Sequence, residues 1–260
     1  MEKKKKGRPE KVQIDKDYLL HQYCDERIST VEIAKEFGCD PSCIRHRLKK
    51  YGVSLRSLSE SHLSGYEFNG NKNVFYGSIL GDACLIRRNK NGLASFSKSN
   101  INYDHVRFVG SELCGDLVDD RIKEGINDAG NPVFKITLKC CEMFDVEHKR
   151  WYLEDKTKIV PKDFQLNAEI LLHWFLDDGH SSWKNKQKTR SAVGFSTESF
   201  TKTDCLFLCD LLDNLHLKSY LGKSHGGFGY KVFLRACSII DFFDLIGPSP
   251  VASMEYKWKY

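Results

Sequence analysis

Two aspartates stand at matched places in a repeated pattern. Asp82 follows the apolar run Val74 to Leu80 through Gly81, and Asp178 follows Ile170 to Leu176 through Asp177, so the pair is separated by 96 residues (82 to 178). A single aspartate at the end of a helix is ordinarily a solvated or capping residue. Two at equivalent points of a repeat meet at one place if their helices pack side by side about a pseudo-twofold axis. Two such carboxylates, together with phosphate oxygens and water, can hold a hard divalent cation such as Mg²⁺ (or Mn²⁺), which keeps several waters and needs few protein ligands. Divalent ions so held activate a water and stabilise the leaving oxygen of a phosphodiester. The chemistry these residues point to is metal-dependent phosphodiester hydrolysis.

The elements that must position the acids occur twice. After Asp82, the strand-like segments Cys84 to Arg88 and Leu93 to Ser99 flank the turn Asn89 to Gly92; after Asp178, Ser181 to Trp183 and Ser191 to Thr197 flank a basic loop. The outgoing strands share letters, Ser95-Phe-Ser-Lys-Ser against Gly194-Phe-Ser-Thr-Glu-Ser. A helix is expected next in each copy, over 103–117 and 203–215, then a strand, Phe134-Lys-Ile-Thr-Leu against Tyr230-Lys-Val-Phe-Leu, and a closing helix over 143–152 and 238–246. The order αββαββα, repeated, predicts an α+β fold of two pseudo-symmetric halves, residues 74–167 and 168–260.

Phe75-Tyr-Gly-Ser-Ile-Leu-Gly-Asp-Ala and Leu171-Leu-His-Trp-Phe-Leu-Asp-Asp-Gly both resemble the LAGLIDADG motif of homing endonucleases, and the likeness covers nearly all of residues 74–260. The bulky second motif is similar to that of the monomeric, two-motif, intron-encoded subgroup. The resemblance implies the LAGLIDADG homing endonuclease fold and a monomer that makes double-strand breaks in a long, asymmetric site on double-stranded DNA and so spreads its own gene. It implies that the eighth motif position, here Asp82 and Asp178, carries the metal-binding aspartate, with Gly81 and Asp177 as neighbours at the metal. It also implies a catalytic lysine late in each half. Lys158 and Lys257 match, lying 76 residues (82 to 158) and 79 residues (178 to 257) past their acids, with Lys156 and Lys259 as close rivals. A lysine there polarises the water or neutralises charge growing on the phosphate. The chain departs from the motif at Ala83, which replaces a final glycine, and His173 and Asp177 stand where the first copy has Gly77 and Gly81. Tight helix packing wants small residues, so contact is expected to be closest at the two glycines, with the larger partners filling in.

Strand alternation supplies a DNA-binding face. Lys135, Thr137 and Lys139 point one way and Phe134, Ile136 and Leu138 the other; Lys231, Phe233 and Arg235 likewise oppose Val232 and Leu234. Lys98, Arg87, Arg88 and Lys90 in the first half, and Lys184, Lys186, Lys188 and Arg190 in the second, add positive charge on the strands and hairpins. Two such sheets form a saddle along the major groove.

Upstream, residues 13–56 read as three short helices. Tyr18, Leu19, Leu20 and Tyr23 belong to the first; Ser29 or Thr30 caps a second carrying Val31, Ile33, Ala34 and Phe37; Gly38 turns the chain; and Pro41 opens a third through Ile44, Leu48 and Tyr51. This is a helix-turn-helix pattern, and Ser29 to Arg45 resembles the units of resolvases and transposase-like proteins. Ser42 and Arg45 are expected nearest base edges, with Arg47, Lys49 and Lys50 on the same polar side. Residues 1–12 form a basic arm in which Lys6-Gly7-Arg8-Pro9 resembles the core of an AT-hook, and 57–73, rich in Ser, Gly and Asn, reads as a linker.

Bulk properties bound these readings without deciding them. Hydrophobic residues at 41% and aromatics at 12% suffice for a packed core in 260 residues, and a net charge of +5 is too mild to argue for nucleic acid alone. The ten cysteines include no CxxC pair, and although Cys39, Cys43 and His46 tempt a zinc reading, reduced thiols are expected. No segment reads as a membrane span or a secretion signal, so the expectation is a non-secreted protein, cytoplasmic or wherever its host DNA resides. Two other functions fit the scaffold, a non-cutting transcriptional regulator and an intron RNA maturase. Retention of both acids weighs against the first, and an N-terminal domain for duplex DNA against the second.

Overall fold

The computed structural model describes residues 12–26, 28–55, 67–87, 93–115, 118–183, 191–224 and 229–259. The chain forms two units that divide between Tyr66 and Glu67. The basic arm with Arg8, most of the linker, and Arg88, Lys184, Lys186 and Arg190 lie outside the described residues.

In the first unit, α1 (Lys16–Leu20) is capped by Asp15, whose carboxylate accepts the Tyr18 amide, and runs on as one wider turn over His21–Asp25. The start of α2 (Thr30–Glu36) is a reciprocal cap: the Ser29 hydroxyl accepts the Glu32 amide at 3.1 Å, and the Glu32 carboxylate accepts the Ser29 amide at 3.1 Å. Gly38 turns the chain at φ +61°, and Asp40 with Pro41 opens α3 (Pro41–Lys50). Leu19, Tyr23, Ile33, Ala34, Ile44 and Leu48 close the core of this unit. The predicted helices and their caps are thus present, with Ser29 as the capping residue of α2.

The second unit contains the repeat. Its first half runs α4 (Lys72–Leu80), β1 (Cys84–Ile86), β2 (Ser95–Asn100), α5 (Tyr103–Cys114), β3 (Ile122–Ile126), β4 (Pro132–Thr137) and α6 (Glu142–Trp151). The second half runs α7 (Ala168–Asp178), β5 (Gly179–Trp183), β6 (Ser191–Phe195), α8 (Lys202–Asn214), β7 (Ser219–Lys223), β8 (Tyr230–Leu234) and α9 (Ile239–Ile246), closed by a 3₁₀ segment, Ala252–Trp258. Each half builds an antiparallel four-stranded sheet, ordered β1-β2-β4-β3 and β5-β6-β8-β7. The sheets cover aromatic cores: Phe75 stacks on Phe144 at 5.5 Å in the first half, and Trp174 on Phe195 at 4.0 Å in the second.

The halves join along α4 and α7. An added Cβ on Gly77 would lie 2.5 Å from the His173 Cβ, and one on Gly81 would lie 2.3 Å from the Asp177 Cβ. The expected division of space, glycine on one helix against a larger side chain on the other, is therefore what the interface uses. At the far ends of the helices, Asn71 and Asn167 cap α4 and α7, and the Asn71 and Asn73 amides each donate to the Glu169 carboxylate at 2.6 Å.

Three expectations change. The helix predicted over 103–117 stops at Cys114, because Gly115 takes up φ +67° and ends it. Residues 67–73 are not linker: Phe68 is buried against the Phe75 and Phe144 rings, and α4 begins at Lys72. The αββαββα order needed a strand in each half that had not been located, and β3 and β7 supply it. Both are edge strands with little buried surface, so no apolar alternation announced them.

Candidate active site

Both acids emerge where α4 and α7 end side by side. Backbone geometry holds them differently. Helix α7 continues through Asp178, whereas α4 stops at Leu80 and leaves Asp82 in a turn. There the Asp82 amide donates to Asp177 Oδ2 at 3.3 Å, and the Asp82 carboxylate accepts the Asn100 side-chain amide at 3.1 Å. The Asp178 carbonyl accepts the Ser196 amide at 3.0 Å. Around Asp178 opens a cleft of about 460 Å³ lined by Asp177, His180, Ser181, Ser196, Lys231, Tyr256 and Lys257.

The two lysines reach the same helix ends. Lys158 Nζ donates to the Gly81 carbonyl at 3.1 Å and the Ala83 carbonyl at 3.4 Å. Lys257 Nζ donates to the carbonyls of Phe175, Leu176 and Asp177 at 3.2, 2.6 and 2.9 Å. Each ammonium therefore sits at the negative end of its own half's helix. Lys156 and Lys259 are exposed and make no such contact among the described residues.

The electrostatics are those of a crowded, partly dry site. Burial pushes the Asp178 carboxyl up to about 8, and the carboxylates of Asp82 and Asp177 add to the rise. Asp82 is raised too, by burial first and then by Asp177. Burial lowers Lys158 to about 8, against the pull of Asp178, and lowers Lys257. Mutually repelling carboxylates and backbone carbonyls make a hard-oxygen donor set. A divalent cation relieves the repulsion, so the residues fit such an ion. Asp177 enters this set only through its backbone, because its side chain is 1% exposed and already occupied.

Of the residues expected on the DNA face, Lys135, Thr137 and Lys139 are exposed, with Ile136 and Leu138 buried behind them. Arg235 is exposed over the Tyr220 ring, and Lys231 pairs with Glu198 at 2.9 Å. Arg87 pairs with Asp145 and is largely covered. In the N-terminal unit Ser42, Arg45 and Lys49 are exposed, while the Arg47 guanidinium donates to the Val12 carbonyl and is half-buried.

Lys98 overturns its expectation. Its side chain is fully buried and ion-paired with Asp177, so it faces the helix pair and not DNA. The pairing registers place Lys98 in the core. Cys84, two residues past Asp82, pairs with Ser97, and His180, two past Asp178, pairs with Gly194. Lys98 therefore corresponds to Phe195, a core residue, and not to a surface position. The shared letters of the two strands had set Phe96 against Phe195, two residues out of register.

Three neighbours of the acids escaped the sequence reading. Asn100 and His105 lie in the stretch after the outgoing strand, and Tyr256 lies in the tail. The one available signal was the run Asn100-Ile-Asn-Tyr-Asp-His105, polar where strand β2 passes into helix α5.

Comparison with known proteins agrees with this geometry. An uncharacterised protein of Methanocaldococcus jannaschii is 24% identical over 234 residues, spanning 88% of this chain and 90% of that one. The DNA endonuclease I-ChuI of Chlamydomonas applanata is 26% identical over 210 residues, 72% of this chain and 93% of its own. Among solved structures, the homing endonuclease I-WcaI bound to its DNA recognition sequence shares the fold, with a TM-score of 0.63 at 19% identity, covering 82% of this chain and 98% of that one. The profile of the LAGLIDADG DNA endonuclease family matches residues 72–235, and by that match over more than half its length the chain belongs to this family.

Proposed function

We propose that this endonuclease is a homing enzyme that works as a monomer, cutting both strands of a long, asymmetric DNA site, with Asp82 and Asp178 each serving one cut. The observation that carries the reading is the meeting of two repeat-equivalent acids at the ends of packed helices, each end also reached by a lysine ammonium.

Asp82 and Asp178, with the carbonyls beside them, would hold Mg²⁺ or Mn²⁺. Such an ion supplies Lewis-acid activation of water and charge neutralisation on the phosphate. The chain's own groups do the rest. Asn100 fixes the Asp82 carboxylate, and Lys158 and Lys257 place positive charge where negative charge grows on the phosphate. With its ammonium drawn down to about 8, Lys158 can exchange a proton near neutral pH. Lys135, Lys139, Lys231 and Arg235 would grip the backbone along the two sheets, and Phe233, beside His180 and Tyr220, offers the second sheet an apolar contact. The N-terminal unit would add a helix-turn-helix contact through Ser42, Arg45 and Lys49, with the segment around Arg8 in an adjacent minor groove.

The test is cleavage, with Mg²⁺, of DNA carrying a randomised library or the gene's own flanking locus, comparing wild type with Asp82→Asn and Asp178→Asn. Defined double-strand cuts that each substitution suppresses by roughly 10²-fold or more support the reading. Tight binding with no cutting under any divalent metal refutes it in favour of a regulator. No helix among the described residues is long and apolar enough to cross a membrane.

A further inference from the structure

Asp177 lies beside Asp178 in sequence, yet among the described residues the close ion-pair and hydrogen-bond partners of its carboxylate lie in the other half of the catalytic unit. Oδ1 is ion-paired with Lys98 of β2 and lies 3.3 Å from His105 Nε2 of α5; Oδ2 accepts the Asp82 amide at 3.3 Å. All three partners belong to the first half. Both Lys98 and Asp177 are buried, at 0% and 1% side-chain exposure, so neither charge has water to fall back on and the pair is locked. Burial and the Lys98 ammonium keep His105 neutral, its pKa about 2, so that contact is not a second ion pair.

The need for such a tether follows from where the two helices stop. Asp178 is still inside α7 and is oriented by helical backbone. Asp82 lies two residues past the end of α4, between a Gly81 amide bonded to Gly77 and an Ala83 amide bonded to Ser78. Its own amide has no backbone acceptor among the described residues and takes the Asp177 carboxylate instead. Fixing that amide fixes the turn from which the Asp82 side chain projects. The arrangement is one-sided, because the position matching Asp177 is Gly81, which has no side chain to return the contact and no room for one.

We infer that Asp177, held by Lys98, is a positioning residue for Asp82 in the opposite half and not for its sequence neighbour Asp178. Loss of the tether therefore impairs one strand's cut more than the other. This rests on the reading of Asp82 and Asp178 as the acids of two separate cuts.

The experiment uses the full chain, Mg²⁺ and a supercoiled plasmid bearing a target selected from a randomised library, with each strand's cleavage followed separately. Asp82→Asn and Asp178→Asn identify the strand that each acid serves. Asp177→Asn, and the double variant Lys98→Met with Asp177→Asn, which leaves no buried charge unpaired, are then compared with wild type. The expected result is a loss of roughly tenfold or more on the Asp82-dependent strand and a clearly smaller loss on the other, the scale of a displaced catalytic group. Equal slowing of both strands, a bias towards the Asp178 strand, or no change overturns the inference. Should each acid variant block both strands, amide hydrogen exchange decides. In Asp177→Asn, protection must fall in the peptide over 80–86 and hold over 176–182; equal change or none overturns it. Undiminished cutting by both acid variants is a different failure, that of the active-site reading itself, and is seen before any strand bias is measured.

Discussion

The two halves of the catalytic domain share a backbone plan and divide its tasks unequally. The first half brings glycines to the helix interface and pays with polar side chains under it, Lys98 and His105 beneath the site; the second brings His173 and Asp177 to the interface and sets Phe195 against Trp174 at the place equivalent to Lys98. At equivalent points of the two sheets, Lys98 and Phe195 are both buried side chains, one charged and one aromatic. A repeat inherits its topology from both copies, but a pseudo-twofold contact cannot place two bulky side chains at one crossing. Once one copy takes the volume at Gly77 and Gly81, the other must give it up, and the polar groups that follow have only one place to go.

The comparison breaks most visibly at Lys98 and Phe195. Lys98→Met leaves the Asp177 carboxylate buried without its counter-charge, and about 3–5 kcal/mol of stability is expected to go. Phe195→Ala opens a cavity against Trp174 and should lose a similar amount, about 3–5 kcal/mol. Urea unfolding separates the causes: adding Asp177→Asn should restore much of the Lys98→Met loss and none of the Phe195→Ala loss. If the double variant recovers nothing, the buried charge was not the reason.

Next come the glycines. Gly81→Ala drives a methyl to 2.3 Å from the Asp177 Cβ, and Gly77→Ala to 2.5 Å from the His173 Cβ. Overpacking of this kind is expected to cost about 3 kcal/mol at either position. Thermal melts would show it, and a compensating His173→Gly in the Gly77→Ala background should return part of the loss. Wild-type melting of the Gly81→Ala protein would refute the close packing of Gly81 against Asp177.

The two interface histidines add a smaller, pH-dependent effect. Burial lowers His173 to about 4 and His105 to about 2. The unfolded chain binds protons at these residues below about pH 6.5, while the folded chain refuses them until much lower pH. Their contribution is therefore full above pH 6.5 and declines as pH falls through 6 and 5, by about 2 kcal/mol per histidine at pH 5. Asp178, raised to about 8, titrates over the same range with the opposite sign, so the histidine effect is read as the difference between wild type and His173→Gln in denaturation at pH 7.5 and 5: on acidification the variant should lose about 2 kcal/mol less. A slope unchanged in that variant sinks the assignment.

Smallest are the effects on the DNA faces. Lys135→Ala or Lys139→Ala should weaken binding and reduce the salt slope by about 1 each. Phe233→Ala at the matched strand of the second half should weaken binding with the salt slope intact, because an aromatic ring releases no counterions. Binding titrations at several salt concentrations distinguish the two.

The amino-acid sequence alone determined the repeat and the helix ends that carry Asp82 and Asp178, while Lys158 and Lys257 were pointed to by the resemblance to the LAGLIDADG family and their matched spacing. The repeat and the helix ends rest on local signals: apolar runs that end at an acid, glycine turns, and alternation along β4 and β8. It placed Gly77 against His173 and Gly81 against Asp177 as well, since matched repeat positions must meet on a pseudo-twofold axis. Edge strands β3 and β7 were not legible, because an edge strand buries too little to show a pattern. Only the tertiary structure decided that Lys98 is interior, that Asn100 holds Asp82, and that Asp177 serves the other half. A lysine on an alternating strand looks the same whether its face meets water or a buried carboxylate, and what lies opposite comes from a segment 79 residues away (98 to 177). Charge in a core is specified by its partner, and partners distant in sequence are found only when the chain has folded.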